Sequence, residues 1–431
     1  MLVKKFKIFL DEHLDSSKPI LLAYSGGSDS SCLLNLLLKV KNEYKIDLHI
    51  AHIDHSWRRN SAFEASLIKD RMKKLNIAFH LKKLKFTSKK NLENEARDQR
   101  LNFFKVLNKK HSFQAIIFAH HKDDLAETVL KRFLEGANIF SLTSMKKVST
   151  FDDLTIFRPL LDVNKDEILS FLKQNNISYF EDPTNSDTKF LRAKMRKDIF
   201  PYLQENFNKQ IKDNLAVLSS YSNELNEYLE TKLSPILQKI SHNSIGLYID
   251  LNDIDQILEL RFILKKIAIF QKIDFSRNIL EKIIKALIQK KANFKIFIKN
   301  ANIFVDRGYL FIINKELKLL KNKALIKQNL FDFGPWQIKI SKVKKAKTNS
   351  SFKDLFSDKL SLYLPEDKYY ISNICPDKKV KKLFENYKVP AVLRAFCPVI
   401  YSQNNKVYEF LSGKKMQLNN KNILEIEIKL K

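Results

Sequence analysis

The sequence predicts an α/β protein: a parallel, doubly wound N-terminal sheet, then a helical middle domain and a small α+β C-terminal domain. Three observations lead there. Over the first 200 residues, short apolar runs alternate with amphipathic stretches of ten or more residues. The polar clusters fall directly after the apolar runs, where a parallel sheet binds its ligands. One of those clusters, "SGGSDS", holds two of the seven glycines in a 431-residue chain.

The elements follow in order. "PILLAYS" is a strand that ends at Gly26 and Gly27, and a helical pattern runs from about Ser30 to Lys41. "IDLHIAHID" (Ile46 to Asp54) is a second strand, followed by a helix over Ser61 to Leu75. "AFHLKKLKF" is a third, followed by a long helix from Asn91 to Lys109. "FQAIIFAHH" (Phe113 to His121) is a fourth, with a helix that Asp123 is placed to cap. "LTIFRPLL" is a fifth, and "NKDEILSFLKQNN" reads as a helix with Asn164 at its N-cap. From Pro201 to Ala292 the pattern is helical and Leu/Ile-rich; beyond Lys315, lysine-laden segments and short alternating strands such as "QIKISKV" and "SLYLP" take over. The expected division is 1–205, a catalytic domain; 206–315, mostly helical; 316–345, a basic linker; and 346–431, an α+β domain.

Composition narrows the function. Hydrophobic residues at 44% and charged residues at 29% are those of a globular protein, but a net charge of +29 is unusual. It points to a polyanionic partner, nucleic acid before an anionic membrane, unless the lysines only reflect an AT-rich coding bias. Arginine is the scarcer base, with nine of thirteen in the first 200 residues, so clustered arginines carry more information than lysines. Cys32, Cys375 and Cys397 are too few and too scattered for a disulfide framework, and no C-x-x-C pair indicates zinc or an iron–sulfur cluster. The first residues are too charged for a signal peptide and no run is long enough to span a membrane, so the expected compartment is the cytoplasm.

A strand that ends in SGGSDS and turns straight into a helix is a phosphate-binding device. Glycine permits positive φ and close approach of an anion, and the turn and helix N-terminus aim N–H groups at it. Ser25, Ser28 and Ser30 add hydroxyls. Asp29 would repel phosphate unless a cation lies between them, which Mg²⁺ would supply. The Walker pattern is absent. The stretch instead resembles the SGGxDS signature of the PP-loop ATP pyrophosphatases, which cleave ATP to AMP and pyrophosphate and adenylate a substrate.

The remaining motifs come in a fixed order: "HIDHSWR" (His52 to Arg58), "NLENEARDQR" (Asn91 to Arg100), "HHKDDLAET" (His120 to Thr128), "FRPLL", "EDPTNSD" and "FLRAKMRKDIFP". Glu93, Arg97 and Arg100 share one helix face, where the first two alternatively form only an ion pair. This series resembles the tRNA(Ile)-lysidine synthetases, and "KKVKKLFENYKVPAVLRAFCPVIY" (Lys378 to Tyr401) is similar to the C-terminal domain of their longer members. The resemblance implies a PP-loop (adenine nucleotide α-hydrolase-like) fold and a two-step reaction with ATP, free L-lysine and an isoleucine tRNA bearing CAU. It implies Ser25, Gly26, Gly27, Ser28, Asp29, Ser30 and Asp54 at ATP, Asp29 and Asp124 on Mg²⁺, Arg97 at phosphate, and Arg192 and Arg196 toward tRNA. Asp54, His120, Asp123, Asp124 and Glu127 share the tasks of holding and deprotonating lysine, although His120 and His121 can also be read as satisfied polar groups at a strand end. Monomer and homodimer stay open. Three departures stand out: Leu125 where the family usually has Gln, Leu101 where it usually has Tyr, and a glycine-poor "GANIFSL" (Gly136 to Leu142). The rivals are a PP-loop tRNA 2-thiolase, which needs catalytic cysteines or a cluster, and a non-catalytic RNA-binding protein on a degenerate PP-loop fold.

Overall fold

The computed structural model describes residues 1–54, 61–86, 92–142, 145–180, 191–207, 210–299, 301–315, 323–326, 329–357, 359–372, 378–404, 406–414 and 423–430, the side chains of 92–94 and 379 excepted. They form two compact units, Met1–Glu227 and Tyr228–Lys431.

The first unit has the elements α1 (Leu2–His13), β1 (Ile20–Ala23), α2 (Ser28–Val40), β2 (Leu48–Asp54), α3 (Ser61–Lys74), β3 (Ala78–Lys83), α4 (Leu92–His111), β4 (Ala115–Ile117), α5 (Lys122–Leu134), β5 (Val148–Phe151), β6 (Leu154–Phe157) and α6 (Lys165–Gln174). The helices α7 (Leu191–Lys194), α8 (Phe200–Phe207) and the start of α9 (Ile211–Leu237) complete it. The sheet order is β3-β2-β1-β4-β6-β5, parallel except at the β5 edge, with Ile20 of β1 opposite Leu48 of β2 and Ala115 of β4. Alternation along β1 explains the two-sided cover. Ile20 and Leu22 join α1, α2 and α6 in one core, while Leu21 faces Phe104 and Leu107 of α4 in the other. The five strands expected from sequence are all present; β5 is an addition. Because the chain winds outward from β1 in one direction and then resumes at β4 on its other side, the switch point lies between their carboxyl ends.

Residues 206–315 hold the helices expected there and also strands that the sequence reading did not include. Helices α10 (Ile257–Gln271) and α11 (Arg277–Ile288) are there, but they accompany a five-stranded antiparallel sheet of β7 (Ser241–Asn243), β8 (Gly246–Asp250), β9 (Phe294–Phe297), β10 (Asn302–Asp306) and β11 (Tyr309–Ile313). Two four-stranded sheets follow: β12 (Lys323–Leu325), β16 (Tyr369–Ser372), β17 (Val399–Ser402) and β18 (Val407–Glu409) in one, β13 (Leu330–Phe333), β14 (Trp336–Val343), β15 (Leu360–Pro365) and β19 (Ile423–Leu430) in the other. A helix α12 (Lys378–Asn386) lies between β16 and β17 in the chain. Tyr248 and Phe311 stack with Phe356 inside a single core that takes in both C-terminal sheets. Among the described residues, no helix is long and apolar enough to cross a membrane.

Candidate active site

The loop after β1 is organised by its own serines. Ser30 Oγ accepts from Gly26 N–H at 3.1 Å and lies 3.1 Å from the Gly27 carbonyl, to which it donates. Its proton being engaged there, the 3.0 Å contact with Ser25 Oγ has Ser25 as donor, and Ser25 accepts in turn from Gly27 N–H at 3.3 Å. Ser30 and Ser25 thus shape the loop, and Ser28 is the serine whose hydroxyl meets another element. The two glycines do different work. Gly26 lies at φ +86, and a Cβ there would come within 2.7 Å of Phe180, whose N–H donates to the Gly26 carbonyl. Gly27 is the N-cap of α2 in ordinary extended conformation, φ −74 and ψ 173, with open space where a Cβ would point apart from Ser25 Oγ at 3.5 Å. The expectation of positive φ therefore holds for Gly26 alone; at Gly27 the missing side chain leaves open space over the turn.

The opposite wall comes from the end of β4. His121, not Asp123, is the N-cap of α5: its Nδ1 accepts from the Asp123 N–H, and Asp124 Oδ2 accepts from the His121 N–H at 3.1 Å. An imidazole nitrogen caps as well as a carboxylate oxygen, which releases Asp123 to point elsewhere. With Nδ1 accepting, the His121 proton sits on Nε2, which lies 3.6 Å from Asp29 Oδ2 and 3.5 Å from Asp124 Oδ2. Asp29 and Asp124, 95 positions apart in the chain, converge on one nitrogen. Burial lowers the His121 pKa, but the hydrogen bond to Asp29 and the charges of Asp124 and Asp29 prevail and raise it. Burial likewise works to raise Asp29, yet His121 and Lys165 hold that carboxyl at about 2.

Each acid in this group has a cationic partner. Lys165, the first residue of α6, donates to Ser28 Oγ at 2.7 Å and pairs with Asp29. Asn164 is the N-cap of α6, as expected, and its N–H donates to Glu167 at 3.3 Å. Asp123 accepts from the Lys165 N–H and pairs with Lys212 of α9. Arg196 pairs with Glu127 and donates to Asp124 Oδ1 at 3.0 Å. It sits on a π-helical turn, Met195–Ile199, between α7 and α8. Such a turn re-aims a side chain and is not readable from periodicity. Glu127 is 1% exposed; burial raises its pKa despite Arg196, whereas Arg196 itself is raised by Glu127 and Asp124 against its own desolvation.

A cationic patch borders the acids. Arg97 on α4 and Arg192 on α7 are both electrostatic neighbours of Arg100 on α4; burial and these two arginines lower the Arg100 pKa. His120 faces Arg158, Arg192 and Arg100, and burial with those charges lowers it to about 4 although Asp124 opposes them. Its Nδ1 is buried without a hydrogen-bond partner. Next to Gly26 is a cavity of about 170 Å³ lined by Tyr24, Leu67, Ile68, Arg71, Ser178, Tyr179 and Phe180. A larger one, about 700 Å³, touches Lys18, Gln114 and Thr155 and contains none of the site residues above. Asp54 ends β2 and is buried beside His52, whose Nδ1 lies 2.8 Å from the Tyr24 carbonyl.

The departures also find physical reasons. Leu125 packs with Val129 and Leu161, so an apolar residue suits that turn of α5. In the glycine-poor loop only Gly136 lies at positive φ, +75, and Asn138 caps a short 3-10 turn at Ile139–Ser141 by accepting from Ser141 N–H. Leu101 is half-buried on α4, with no feature that explains its replacement of Tyr. The parts of the motifs at His55–Arg58, Asn91, Glu181–Asp187 and Phe190, the Glu93 side chain and Cys375 lie outside the described residues. Sequence reasoning missed Lys165, Lys212 and the capping role of His121. The first two are single lysines in a lysine-rich chain, without a local signal.

Known proteins resemble this chain over nearly its whole length. Residues 1–203 match the family model of a PP-loop domain. The tRNA(Ile)-lysidine synthase of Protochlamydia amoebophila is 33% identical over 428 residues, covering 96% of this chain and 93% of its own. Those of Chlamydia muridarum and Chlamydia caviae are 37% and 33% identical, over 61% and 72% of this chain and 80% and 97% of theirs. With similarity that extends over nearly the full length of both chains, the chain belongs to the tRNA(Ile)-lysidine synthase family.

Proposed function

We propose that this protein joins free L-lysine to the 2-carbon of the wobble cytidine in an isoleucine tRNA with a CAU anticodon, at the expense of ATP. The 2-oxo oxygen attacks the α-phosphate of ATP and pyrophosphate leaves; the lysine ε-amine then displaces AMP, giving lysidine. The single observation that carries the reading is the convergence of the Gly26 loop, Asp29, Lys165, His121 and Asp124 at the switch point of the sheet.

The residues divide the labour by charge. The N-terminus of α2, which follows the glycine turn, and the Lys165 ammonium attract the polyphosphate. The cavity beside Gly26, with aromatic and aliphatic walls, suits the adenine. Asp29 and Asp124 bring two carboxylates together around His121 Nε2, and carboxylate oxygens are the donors that Mg²⁺ takes. When bound, that ion neutralises phosphate charge as it develops. Arg97, Arg100 and Arg192 offer cations to the α-phosphate and the tRNA backbone. Asp123 and Glu127 already hold the cationic nitrogens of Lys212 and Arg196, so they can receive a lysine ammonium. Glu127, with its pKa raised by burial, is the better proton acceptor of the two. Residues 346–431 serve the tRNA.

A thiolase reading finds little support: Cys32 is buried with its thiol pushed up to about 12, first by burial and then by Asp29, and burial raises the Cys397 thiol as well. The test incubates protein, Mg-ATP and labelled lysine with unmodified CAU isoleucine tRNA, beside elongator methionine tRNA. Label in the first tRNA alone, dependent on ATP, supports the proposal. Pyrophosphate release without lysine transfer would move the second substrate elsewhere, and neither product from a tRNA-binding protein would overturn catalysis.

A further inference from the structure

Three of the nine histidines meet at the far end of the sheet from the nucleotide loop. His49 is the second residue of β2, His80 lies on β3 and His111 ends α4. In the β2–β3 register His80 is opposite Ala51, which shares a face with His49, and α4 packs on that face. One ring nitrogen from each histidine lies within 4.8 Å of those of the other two. His49 Nδ1 and His80 Nε2 are 3.0 Å apart, a pair that must share one proton, and the rings are stacked. The His111 Nε2 is buried with no hydrogen-bond partner.

We propose that His49, His80 and His111 bind one borderline divalent transition-metal ion, with Zn²⁺ the best match, and that the ion pins the end of α4 to β2 and β3. Three neutral imidazoles on separate elements are a recurrent Zn²⁺ donor set, and a hard cation such as Mg²⁺ would not select it. His49 Nδ1 and His80 Nε2 satisfy each other only by sharing one proton, and the buried His111 Nε2 has no hydrogen-bond partner. Metal would satisfy them together. The outer shell fits as well. His49 Nε2 lies 3.7 Å from Asp47 Oδ1, so with Nδ1 on the metal the remaining N–H points to a carboxylate that fixes the ring. Phe113 packs edge-on to His49 and near His111 and also lines the 700 Å³ cavity, which gives an ion a way in. Lys110 is the opposing charge, and the Asp47 carboxylate offsets it. The alternative is an aromatic cluster of four rings with a shared proton and no ligand.

The test uses the full chain, stripped with chelator and titrated with Zn²⁺, then with Co²⁺ as a visible probe. The expected result is one equivalent of metal that survives Asp29→Asn but binds at least ~10-fold more weakly in His80→Asn and in His111→Gln. Co²⁺ bands should persist in the first variant and vanish in the other two. Carbethoxylation of the wild-type protein, read by mass spectrometry, needs no variant: Zn²⁺ should protect His49, His80 and His111 together. No bound equivalent, or binding that leaves those histidines reactive and is indifferent to both substitutions, would overturn the site.

Discussion

The Lys165 ammonium lies on Asp29 and 2.7 Å from the Ser28 hydroxyl, bridging α6 to the nucleotide loop across 136 positions of sequence. It places a positive charge at the mouth of an N–H-rich turn, and it is one of two groups that keep Asp29 ionised. The same ammonium can therefore serve the carboxylate in the free protein and a phosphate in the complex.

Lys165→Ala should accordingly raise KM for ATP and lower ATP–pyrophosphate exchange by roughly 100-fold, within the range for one charge-stabilising donor. Asp29→Asn should abolish exchange while tRNA binding in a filter assay is retained. Equal loss of tRNA binding in both variants would contradict this division of roles.

Gly26→Ala and Gly27→Ala separate conformation from access. Alanine at φ +86, against Phe180, should cost about 1–3 kcal/mol in denaturant unfolding. At Gly27 the backbone is ordinary, so alanine should cost less than about 1 kcal/mol, mostly as a poorer N-cap. It should still weaken ATP binding, because its methyl group stands where the anion approaches. Reversed stabilities would show that the loop is held differently.

How far the sequence discloses this site follows from where its parts come from. Gly26, Asp29, Asp124 and Glu127 stand in compact strand-to-helix motifs, so local spacing reveals them. Lys165, Lys212 and Arg196 reach the site only through tertiary folding, the last through a π turn that breaks the 3.6 period. The same limit hid the five-stranded sheet. "GLYID", "NIFVD" and "YLFII" are short apolar runs, which periodicity does not distinguish from buried helix.

Arg196→Ala strands a carboxylate, since Glu127 is 1% exposed. Removing one partner of a fully buried pair costs about 3–5 kcal/mol, but Arg196 is 42% exposed, so about 1–3 kcal/mol is expected by chemical denaturation. Adding Glu127→Gln should return part of that stability without restoring ligation. A double variant no more stable than Arg196→Ala alone would deny the coupling.

Acid should act in two windows. His120, lowered to about 4 from 6.5, binds its proton more tightly in the unfolded chain, so the stability tied to its neutral form is lost as pH falls from about 6.5 to 4. Asp29, at about 2 against 3.8, contributes stability above about pH 4 that is lost between pH 4 and 2. Its partial exposure keeps the latter below about 2 kcal/mol. His80, also lowered to about 4, acts in the upper window too, so His120→Gln should shrink that window of a stability–pH profile and Asp29→Asn should flatten the lower. The opposite assignment would overturn the charge states described for the site.

The last prediction concerns where the chain can be cut. The basic stretch ending at residue 345 looks in sequence like a place to separate the C-terminal domain. In the fold, however, Trp336–Val343 is paired residue for residue with Ile423–Leu430, from Trp336 opposite Leu430 to Val343 opposite Ile423. The buried Trp336 also donates its indole N–H to the Phe396 carbonyl at 3.1 Å. A chain ending at 345 would expose that strand edge and the indole, so it should aggregate or be trimmed rapidly by protease. A chain ending at Leu237 keeps the first unit and all of α9, and should unfold cooperatively and still bind ATP. Limited proteolysis and calorimetry of the two fragments decide it: a stable 1–345 fragment would mean that the C-terminal sheets are not needed to complete the core around Trp336.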